Sequence, residues 1–432
     1  MKTSSGIEDL MAIARPVQGG LAPLLAKAAQ ADYVLIGEAS HGTREFYEIR
    51  ADLTRHLIRD HGFTVIALEA DWPDTLRLHR YTAGEPGDHD AREALGNFER
   101  FPRWMWRNET MLRFADWLRE WNRPLAEARV GVFGMDLYSL HASIDAVLKH
   151  LAAKDPAAAA RARERYACFD HFGQDPQNYG YRTTRCREEG CEDEVVAQLL
   201  EMRKRQAAGD DSEFFATQNA KVVADAEQYY RAMFRGRDDS WNLRDAHMED
   251  TVRALARHYH DGERDAKVIV WAHNSHLGDA RATEMGRRGE WNLGQLLRER
   301  AGRRVYSIGF STYEGAVTAA HDWDGAAETM KVQPGMGGSY EELFHRLGKE
   351  SFWIDLGEPA AGVELLQSPR LQRAIGVIYR PQTERLSHYY HSKLPAQFDA
   401  IIHVDRSSAL RPLDGGIAPA LDLPERDPAA RL

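Results

Sequence analysis

A short apolar run that leads into a polar loop and then into a helical pattern most constrains the fold of this chain. The run is Tyr33–Ile36, and the loop that follows it carries Glu38, Ser40 and His41. After the loop, apolar residues recur at three- and four-residue spacing up to Gly62, as they do along one face of an α-helix. This order predicts a buried strand, a loop at its carboxyl end and a helix that packs on the sheet.

Three later apolar runs have the same order of features. They cover residues 64–68, 130–133 and 268–272, and each one ends before polar side chains. Those side chains are Glu69 and Asp71 after the first run, Asp136 after the second, and His273 and His276 after the third. Because strand and helix patterns alternate, the sequence predicts an α/β fold with a mostly parallel sheet, crossover helices and large helical insertions.

Residues 1–409 are predicted to form one α/β hydrolase-like domain, which two insertions enlarge. Residues 84–124 form an aromatic-rich insertion, whose rings either pack in a core or line a pocket for a bulky apolar ligand. Residues 139–265 contain helical patterns and no convincing strand, so we expect a helical insertion there. Later apolar runs at 305–310, 352–356, 374–379 and 400–404 extend the predicted sheet, and residues 410–432 are expected to form a flexible tail.

Composition and charge restrict the class of protein. The 432 residues are 43% hydrophobic and 28% charged, as in an ordinary soluble globular protein. A net charge of −10 and the lack of a basic face argue against nucleic acid as the main partner. No apolar stretch approaches the length of a membrane span, and the first residues lack a signal-peptide pattern, so we expect a cytoplasmic protein with no membrane partner.

The cysteine content fits a reducing compartment. Three cysteines, Cys168, Cys186 and Cys191, are too few for a disulfide framework, so we expect free thiols. A pair or a metal site formed by Cys186 and Cys191 stays open as an alternative, although no second cysteine or histidine pair lies close to them in the sequence.

The polar residues at the four strand ends are expected to share one crevice. Carboxyl ends of parallel strands meet at one edge of a sheet, where ligands bind in open α/β folds. The candidate residues there are Glu38, His41, Glu69, Asp136, His273 and His276, with Ser40 and Asp71 as supporting residues. Burial of so many ionisable groups is costly unless they are paired or bound to a metal, which favours a functional cluster.

Two arginines are predicted to balance the carboxylates of this cluster. Arg50 follows the first loop on the inward face of its helix and is expected to pair with Glu38 or Glu69. Arg244 has no evident structural role in the sequence and is expected to face the crevice. Beside it, Asn242 is predicted to cap a helix N-terminus, with Asp245 at the third helical position.

The pattern of these residues favours hydrolysis by activated water. No GxSxG, HExxH, CxxC or phosphate-binding loop motif occurs, and no GxGxxG follows a strand. A histidine held by carboxylates with an arginine nearby is suited to act as a general base toward water, because the carboxylates fix its tautomer and raise its basicity.

Several stretches of the chain resemble the erythromycin esterase family. The matching stretches are GEASHGTREFYEIR at 37–50, ALEADW at 67–72, GMDLYSL at 134–140, NLRDAHM at 242–248, WAHNSHLGD at 271–279 and LPAQFDAIIHV at 394–404. The resemblance implies an α/β fold with helical insertions and hydrolysis of an ester or lactone, a macrolide lactone in the founding members. It implies His41 as the general base, with Glu38, Arg50 and Glu69 as its partners.

The resemblance leaves part of the site and the substrate open. The later histidine motif falls on His273 and His276, and either histidine is a candidate for the functional one. The segment from Cys168 to Cys186 resembles a broader branch of the family more than the resistance enzymes, so a small-molecule ester or lactone is expected rather than a macrolide in particular.

Two other functions use the same residues. A metal-dependent hydrolase could bind one or two divalent ions through Glu38, His41, Glu69, His273 and His276. A binding protein without turnover could hold haem or another flat ligand between the crevice and the aromatic insertion. The main hypothesis requires no cofactor.

Overall fold

Strands at the centre of the protein are joined by long helical segments in its computed structural model. The structure describes residues 2–125, 130–173, 175–207, 210–260 and 264–414, with side chains from residue 6 onward. The strands of this part of the chain are β1 (Arg15–Pro16), β2 (Tyr33–Ile36), β3 (Val65–Asp71), β4 (Gly131–Asp136), β5 (Val268–Trp271), β6 (Val305–Ala319), β7 (Glu328–Val332), β8 (Ser351–Asp355), β9 (Arg370–Arg373), β10 (Tyr389–Ser392) and β11 (Ala400–Ser407).

Helices connect and flank these strands. The α-helices of the described residues are α1 (Lys2–Ile13), α2 (Ala22–Ala28), α3 (Arg44–His61), α4 (Trp72–Thr82), α5 (Ala91–Ala94), α6 (Glu109–Asn122), α7 (Leu140–Lys154), α8 (Pro156–Tyr166), α9 (Pro176–Arg185), α10 (Glu192–Gln206), α11 (Asp211–Met233), α12 (Arg237–His258), α13 (Asn274–Leu277), α14 (Leu293–Ala301), α15 (Tyr340–His345), α16 (Ala361–Leu366), α17 (Glu384–Ser387) and α18 (Leu394–Gln397). Short 3₁₀ helices are Leu95–Asn97, Arg103–Met105, Ala167–Phe172, Ala280–Ala282, Gly286–Arg288, Gly302–Arg304 and Pro381–Thr383.

The main sheet is mostly parallel. Among the described residues, nine strands form it in the order β1-β8-β11-β6-β2-β5-β3-β4, with β7 paired to β6. Parallel pairs join β11, β6, β2, β5, β3 and β4, each to the next. β1, β7 and β8 pair antiparallel with their neighbours, and β9 and β10 form a separate two-stranded sheet. The predicted α/β class with a mostly parallel sheet is confirmed.

The first predicted strand and helix illustrate how the sequence forms this sheet. All four residues of β2 are buried, because helices cover both faces of a parallel sheet. Helix α3 buries Phe46, Leu53 and Leu57 against the core and ends at Gly62, whose φ of 71° is left-handed. Strand β2 lies between β5 and β6, so the loop after it opens at the middle of the sheet.

Helices α7–α12 occupy the stretch between β4 and β5 where a helical insertion is predicted. They have a hydrophobic cluster of their own, which includes Leu151, Ala162 and Ala220. Cys168 and Cys191 form a disulfide there, with a Cα–Cα distance of 5.8 Å, so the expectation of free thiols is wrong for these two residues. Cys168 lies in the 3₁₀ helix Ala167–Phe172 and Cys191 lies at the N-cap of α10, and only the tertiary fold brings the two sulfurs together.

The third cysteine also decides the alternative that the sequence left open. Cys186 is exposed and free, so it does not pair with Cys191.

Within the described ranges, no helix has both the length and the hydropathy that a membrane crossing requires.

One predicted strand and one predicted boundary look different in the structure. Residues 374–379 form only isolated bridges, Ser40 with Ile375 and Ala320 with Ile378, because their backbone groups exchange hydrogen bonds with two separate segments and not with one continuous strand. In the predicted tail, Leu410 is buried and Asp414 pairs with Arg107, whereas residues 415–432 lie outside the described residues.

Candidate active site

The loop after β2 holds a buried chain of three charged or polar side chains. His41 donates from Nδ1 to Glu38 Oε1 over 2.9 Å, and Arg50 donates from Nη2 to Glu38 Oε2 over 2.8 Å. Arg50 is fully buried, and its guanidinium lies 4.2 Å from the ring centre of Tyr47 and 5.0 Å from that of Trp271. The two hydrogen bonds engage both oxygens of Glu38 as acceptors and leave Nε2 as the free ring nitrogen of His41.

Arg244 from α12 joins the ends of β3 and β4. It donates to Asp136 from Nε over 2.9 Å and from Nη2 over 2.7 Å, and Nη2 also donates to Glu69 over 2.8 Å. Burial opposes the charge of Glu69, but the positive charges of His276 and Arg244 outweigh it and hold the pKa of Glu69 well below its usual value. Glu69 is therefore an anion that anchors the cluster.

His276 on α13 is held as a cation. Its Nδ1 lies 2.9 Å from both carboxylate oxygens of Asp245, and its Nε2 lies 3.3 Å from Glu69 Oε1. Burial and the guanidinium of Arg244, whose Nη1 lies 3.1 Å from Nε2, favour the neutral ring, but Asp245 and Glu69 outweigh them and raise the pKa of His276 to about 9. Trp241 stacks on the imidazole at 4.5 Å, as expected for a cation on an aromatic face.

His273, in contrast to His276, is held as a neutral ring. Its Nδ1 accepts from the Ser275 amide over 3.2 Å and lies 2.8 Å from the Ser275 hydroxyl oxygen, so the ring proton belongs on Nε2. Burial and the neighbouring His41 lower the pKa of His273 to about 3. Its Nε2 forms no hydrogen bond of ordinary geometry within the described residues, although a contact with the Ala39 backbone acts to raise the pKa of His273. The neutral ring therefore carries an Nε2–H donor that lacks a well-formed hydrogen bond to the described residues.

The four strand ends open into one cavity of about 460 Å³. The predicted site residues that line it are His41, Glu69, Asp71, Asp136, Arg244, His273 and His276. The rings of His41 and His273 face each other with centroids 4.9 Å apart. The structure therefore brings together, around one space, residues that are up to 235 positions apart in the chain.

Three predicted site residues lie behind the cavity wall. Glu38 and Arg50 are fully buried and reach the cavity only through His41. Ser40 is buried as well, and its hydroxyl pairs with that of Thr43. Ser40 is therefore placed to support the loop and not to contact a substrate.

Some rings of the aromatic insertion line the cavity, whereas others pack in the core. Phe98, Phe101 and Trp106 line the cavity. Phe114 packs on Trp271 at 5.1 Å, away from the cavity, and Trp117 stacks between Phe114 and Trp121. The insertion therefore supplies both part of the hydrophobic core and an apolar wall of the site.

The proposed metal ligands do not suit a metal ion in this arrangement. In the part of the chain that the structure describes, no group of three or more His, Cys, Asp or Glu side chains has the spacing of a metal site. Two of the carboxylates, Glu38 and Glu69, already accept hydrogen bonds from Arg50 and Arg244. A cation would have to displace an arginine from either carboxylate.

A comparison with models of protein families shows the family of the chain. The model of the family described as erythromycin esterase matches residues 58–407 of the chain. The chain belongs to the erythromycin esterase family.

Known proteins agree with membership of the erythromycin esterase family. A Bacillus subtilis (strain 168) protein named "Putative hydrolase YbfO" is 24% identical over 403 residues, which are 86% of this chain and 83% of that protein. A solved structure described as a succinoglycan biosynthesis protein matches with a TM-score of 0.77 and 20% identity, over 94% of this chain and 98% of that one. A mutant of the erythromycin esterase EreC in its open conformation matches with a TM-score of 0.65 and 19% identity, over 92% and 94% of the two chains. These two structures establish a shared fold.

Two residues of this erythromycin esterase family member were missed from the sequence. Asp245 is fully buried and holds His276, and Trp241 covers the same ring. The prediction that Asn242 caps a helix is wrong, because α12 begins at Arg237 and the Asn242 side chain binds the backbone of Gly289 and Trp291. The sequence signal that could have identified Asp245 is its position directly after Arg244, because Arg244 was already predicted to face the crevice.

Proposed function

We propose that this protein is an esterase-like hydrolase that cleaves a carboxylic ester or lactone with a water molecule activated by His41. The observation that carries the proposal is the buried Arg50–Glu38–His41 chain, which ends at the cavity. A purely structural histidine would not need a fully buried ion pair behind it, since such a pair is costly to bury. The cavity is the expected place for a small-molecule substrate.

His41 acts as the general base in this proposal. Glu38 accepts from Nδ1–H, so the lone pair of Nε2 points toward the cavity and removes a proton from water as the oxygen attacks the carbonyl carbon. Arg50 holds Glu38 in place, and Glu38 stabilises the imidazolium that forms. This arrangement performs with water what a histidine–carboxylate pair performs with a serine hydroxyl.

His273 and His276 act on the other side of the reaction. The Nε2–H of His273, which lacks a well-formed hydrogen bond to the described residues, donates to the carbonyl oxygen as it becomes an oxyanion. His276, which is cationic at neutral pH, gives a proton to the leaving alkoxide. The proton taken up by His41 then returns to solvent, and His276 is reprotonated, so one water is consumed per ester bond and an acid and an alcohol are released.

Hydrolysis of a panel of p-nitrophenyl esters and simple lactones by wild-type protein and His41→Asn tests the proposal. We expect kcat/KM to fall by about 100- to 10,000-fold, because general-base catalysis contributes that much. His56→Asn is the matched control, since His56 is an exposed histidine of α3 that pairs with Asp60 far from the cavity. Equal rates for wild type and His41→Asn would refute the base assignment, and activity lost in EDTA would favour the metal-dependent alternative.

A further inference from the structure

A second cavity, of about 360 Å³, lies beside the candidate active site and has a basic wall. Among the described residues, its ionisable lining consists of Arg281, Arg287, His391 and Lys393, with Asp279 as the one carboxylate. Protein cavities of this volume hold small organic molecules rather than single ions. Because the whole chain has a net charge of −10, an excess of cations at one cavity favours an anionic ligand there.

Two of these cations have no carboxylate partner in the described part of the chain. Asp279 accepts from Arg281 on both oxygens, over 2.9 Å from Nε and 2.6 Å from Nη2, so this carboxylate neutralises Arg281. Among the same residues, Arg287 contacts only the Thr283 carbonyl oxygen, at 3.5 Å from Nη1, and Lys393 Nζ forms no hydrogen bond or ion pair. Both side chains are exposed at the second cavity and are therefore available to an anion.

Backbone contacts fix the positions from which the two available cations project. The Lys393 amide donates to the Ala282 carbonyl over 2.8 Å, which ties the end of β10 to the segment before Arg287. Gly286, directly before Arg287, packs so closely that an added Cβ would lie 2.2 Å from the Ala280 carbonyl oxygen. A ligand that binds between Arg287 and Lys393 therefore has to order their side chains but not their backbones, which lowers the entropic cost of binding.

The same segment and β10 separate the second cavity from the candidate active site. Arg288 lines the active-site cavity, whereas its neighbour Arg287 lines the second cavity. Tyr390 and Ser392 of β10 divide between the two cavities in the same way. Substitutions at adjacent positions can therefore distinguish a ligand in one cavity from a ligand in the other.

We propose that the second cavity binds a small anion that carries linked phosphoryl groups, through Arg287 and Lys393. A phosphoryl group has three acceptor oxygens and nearly two negative charges, so linked groups can contact both cations at once. The guanidinium of Arg287 offers parallel N–H donors to such oxygens, and the Lys393 ammonium adds a point charge. This site goes beyond the proposed hydrolysis and does not depend on it, because the two cations lie outside the candidate active site.

Titration of the full-length protein with inorganic pyrophosphate tests this site. Isothermal titration calorimetry near neutral pH and at low salt should show saturable binding, which weakens at physiological salt because salt screens exposed charges. The dicarboxylate malonate is the comparison ligand. It should bind at least about ten-fold more weakly, since it has fewer charges and fewer acceptor oxygens for the two cations.

Matched variants that each remove one positive charge locate the bound pyrophosphate. Arg287→Gln and Lys393→Gln should each raise the Kd by about ten-fold or more, because each removes a charge-assisted contact. Arg288→Gln removes the same charge from the adjacent residue, which lines the active-site cavity, and should leave the Kd nearly unchanged. The three side chains are exposed, so we expect all three variants to fold, and circular dichroism verifies this.

Absence of saturable pyrophosphate binding by wild-type protein would overturn the proposal. Equal weakening by Arg287→Gln and Arg288→Gln would overturn it as well, since it would indicate attraction by overall charge. A wild-type Kd in folded Arg287→Gln and Lys393→Gln would place the pyrophosphate outside the second cavity, and equal affinity for malonate would refute the assignment to phosphoryl groups. None of these results requires ester hydrolysis, so this proposal and the proposed function can fail separately.

Discussion

At the scale of single residues, the two histidines of the WAHNSHLGD motif have opposite protonation states although they are three positions apart. His273 accepts a backbone N–H and faces His41, and burial keeps it neutral. His276 lies between Asp245 and Glu69 and carries a proton. The difference suits a division of work in which one ring donates to an oxyanion and the other supplies a proton to a leaving group.

Asp245→Asn tests the origin of the charge on His276. Asp245 is a positioning residue, and its loss should lower the pKa of His276 from about 9. The alkaline limb of the kcat–pH profile should then move to lower pH, with kcat at pH 8 reduced by about ten-fold or more. Asp250→Asn, on the same helix but paired with Arg253, should leave the profile unchanged.

The same variant should change the pH dependence of stability. The pKa of His276 is raised from 6.5 to about 9 in the folded protein, so its stabilising contribution is complete below about pH 6.5 and is lost as pH rises through 9. In Asp245→Asn this loss between pH 6.5 and 9 should be smaller, as measured by urea unfolding at several pH values. An unchanged pH dependence would show that Asp245 does not set the charge of His276.

At the scale of elements, the loop between β2 and α3 is fixed by close backbone contacts. The Gly42 carbonyl accepts from the amides of Thr318 and Leu410. A Cβ atom on Gly42 would lie 1.8 Å from the Thr318 carbonyl oxygen, which is backbone and cannot rotate away. The position of the neighbouring His41 therefore depends on β6 and on the segment at Leu410, which lie more than 270 residues later in the chain.

Gly42→Ala should therefore impair both stability and activity. We expect the free energy of unfolding to fall by about 1–3 kcal/mol, as for other overpacked sites, and kcat/KM to fall because His41 shifts with the loop. Gly376→Ala is the matched control, since Gly376 also lines the cavity but a Cβ there meets no atom within 4 Å. Unfolding in urea and ester hydrolysis, measured on the same preparations, provide the comparison. Wild-type values for Gly42→Ala would contradict the packing argument.

At the scale of the whole molecule, the helical insertion between β4 and β5 contains a disulfide whose two cysteines both lie within the insertion. The disulfide joins Cys168 and Cys191, which are 23 residues apart in sequence. Disulfides are uncommon in a reducing cytoplasm, so the cytoplasmic location that the sequence suggests stays a prediction.

Removal of the disulfide should destabilise the insertion. Cys168→Ala, or reduction with dithiothreitol, should lower the free energy of unfolding by about 3 kcal/mol, since a loop of this length gains that much entropy when the cross-link is lost. Cys186→Ala serves as control, because Cys186 is exposed and outside the disulfide. A denaturation midpoint that does not respond to dithiothreitol would indicate that Cys168 and Cys191 are not joined in solution.

Much of this architecture follows from local sequence patterns. Tyr33–Ile36 and Val268–Trp271 are apolar runs too short for helices and directly followed by polar loops, so nearby residues identify them as candidate strands, and the alternation with helical patterns predicts that they are parallel. The end of α3 at Gly62 is local as well, because the left-handed conformation favours glycine. Residues 374–379 have an equally apolar pattern but form no strand, since no continuous partner is available to them.

The sequence by itself determined the α/β class, the four polar strand ends and the family motifs of this protein, because each depends on residues that are neighbours in the chain. Only the tertiary structure decided which carboxylate pairs with which cation. Arg50 is bound to Glu38 rather than Glu69, and Glu69 is bound to Arg244. It also decided the role of Asp245, the pairing of Cys168 with Cys191 and the placement of Arg287 and Lys393 at one cavity. Such contacts depend on how separate helices pack over the sheet, and side-chain spacing along the chain carries no record of that packing.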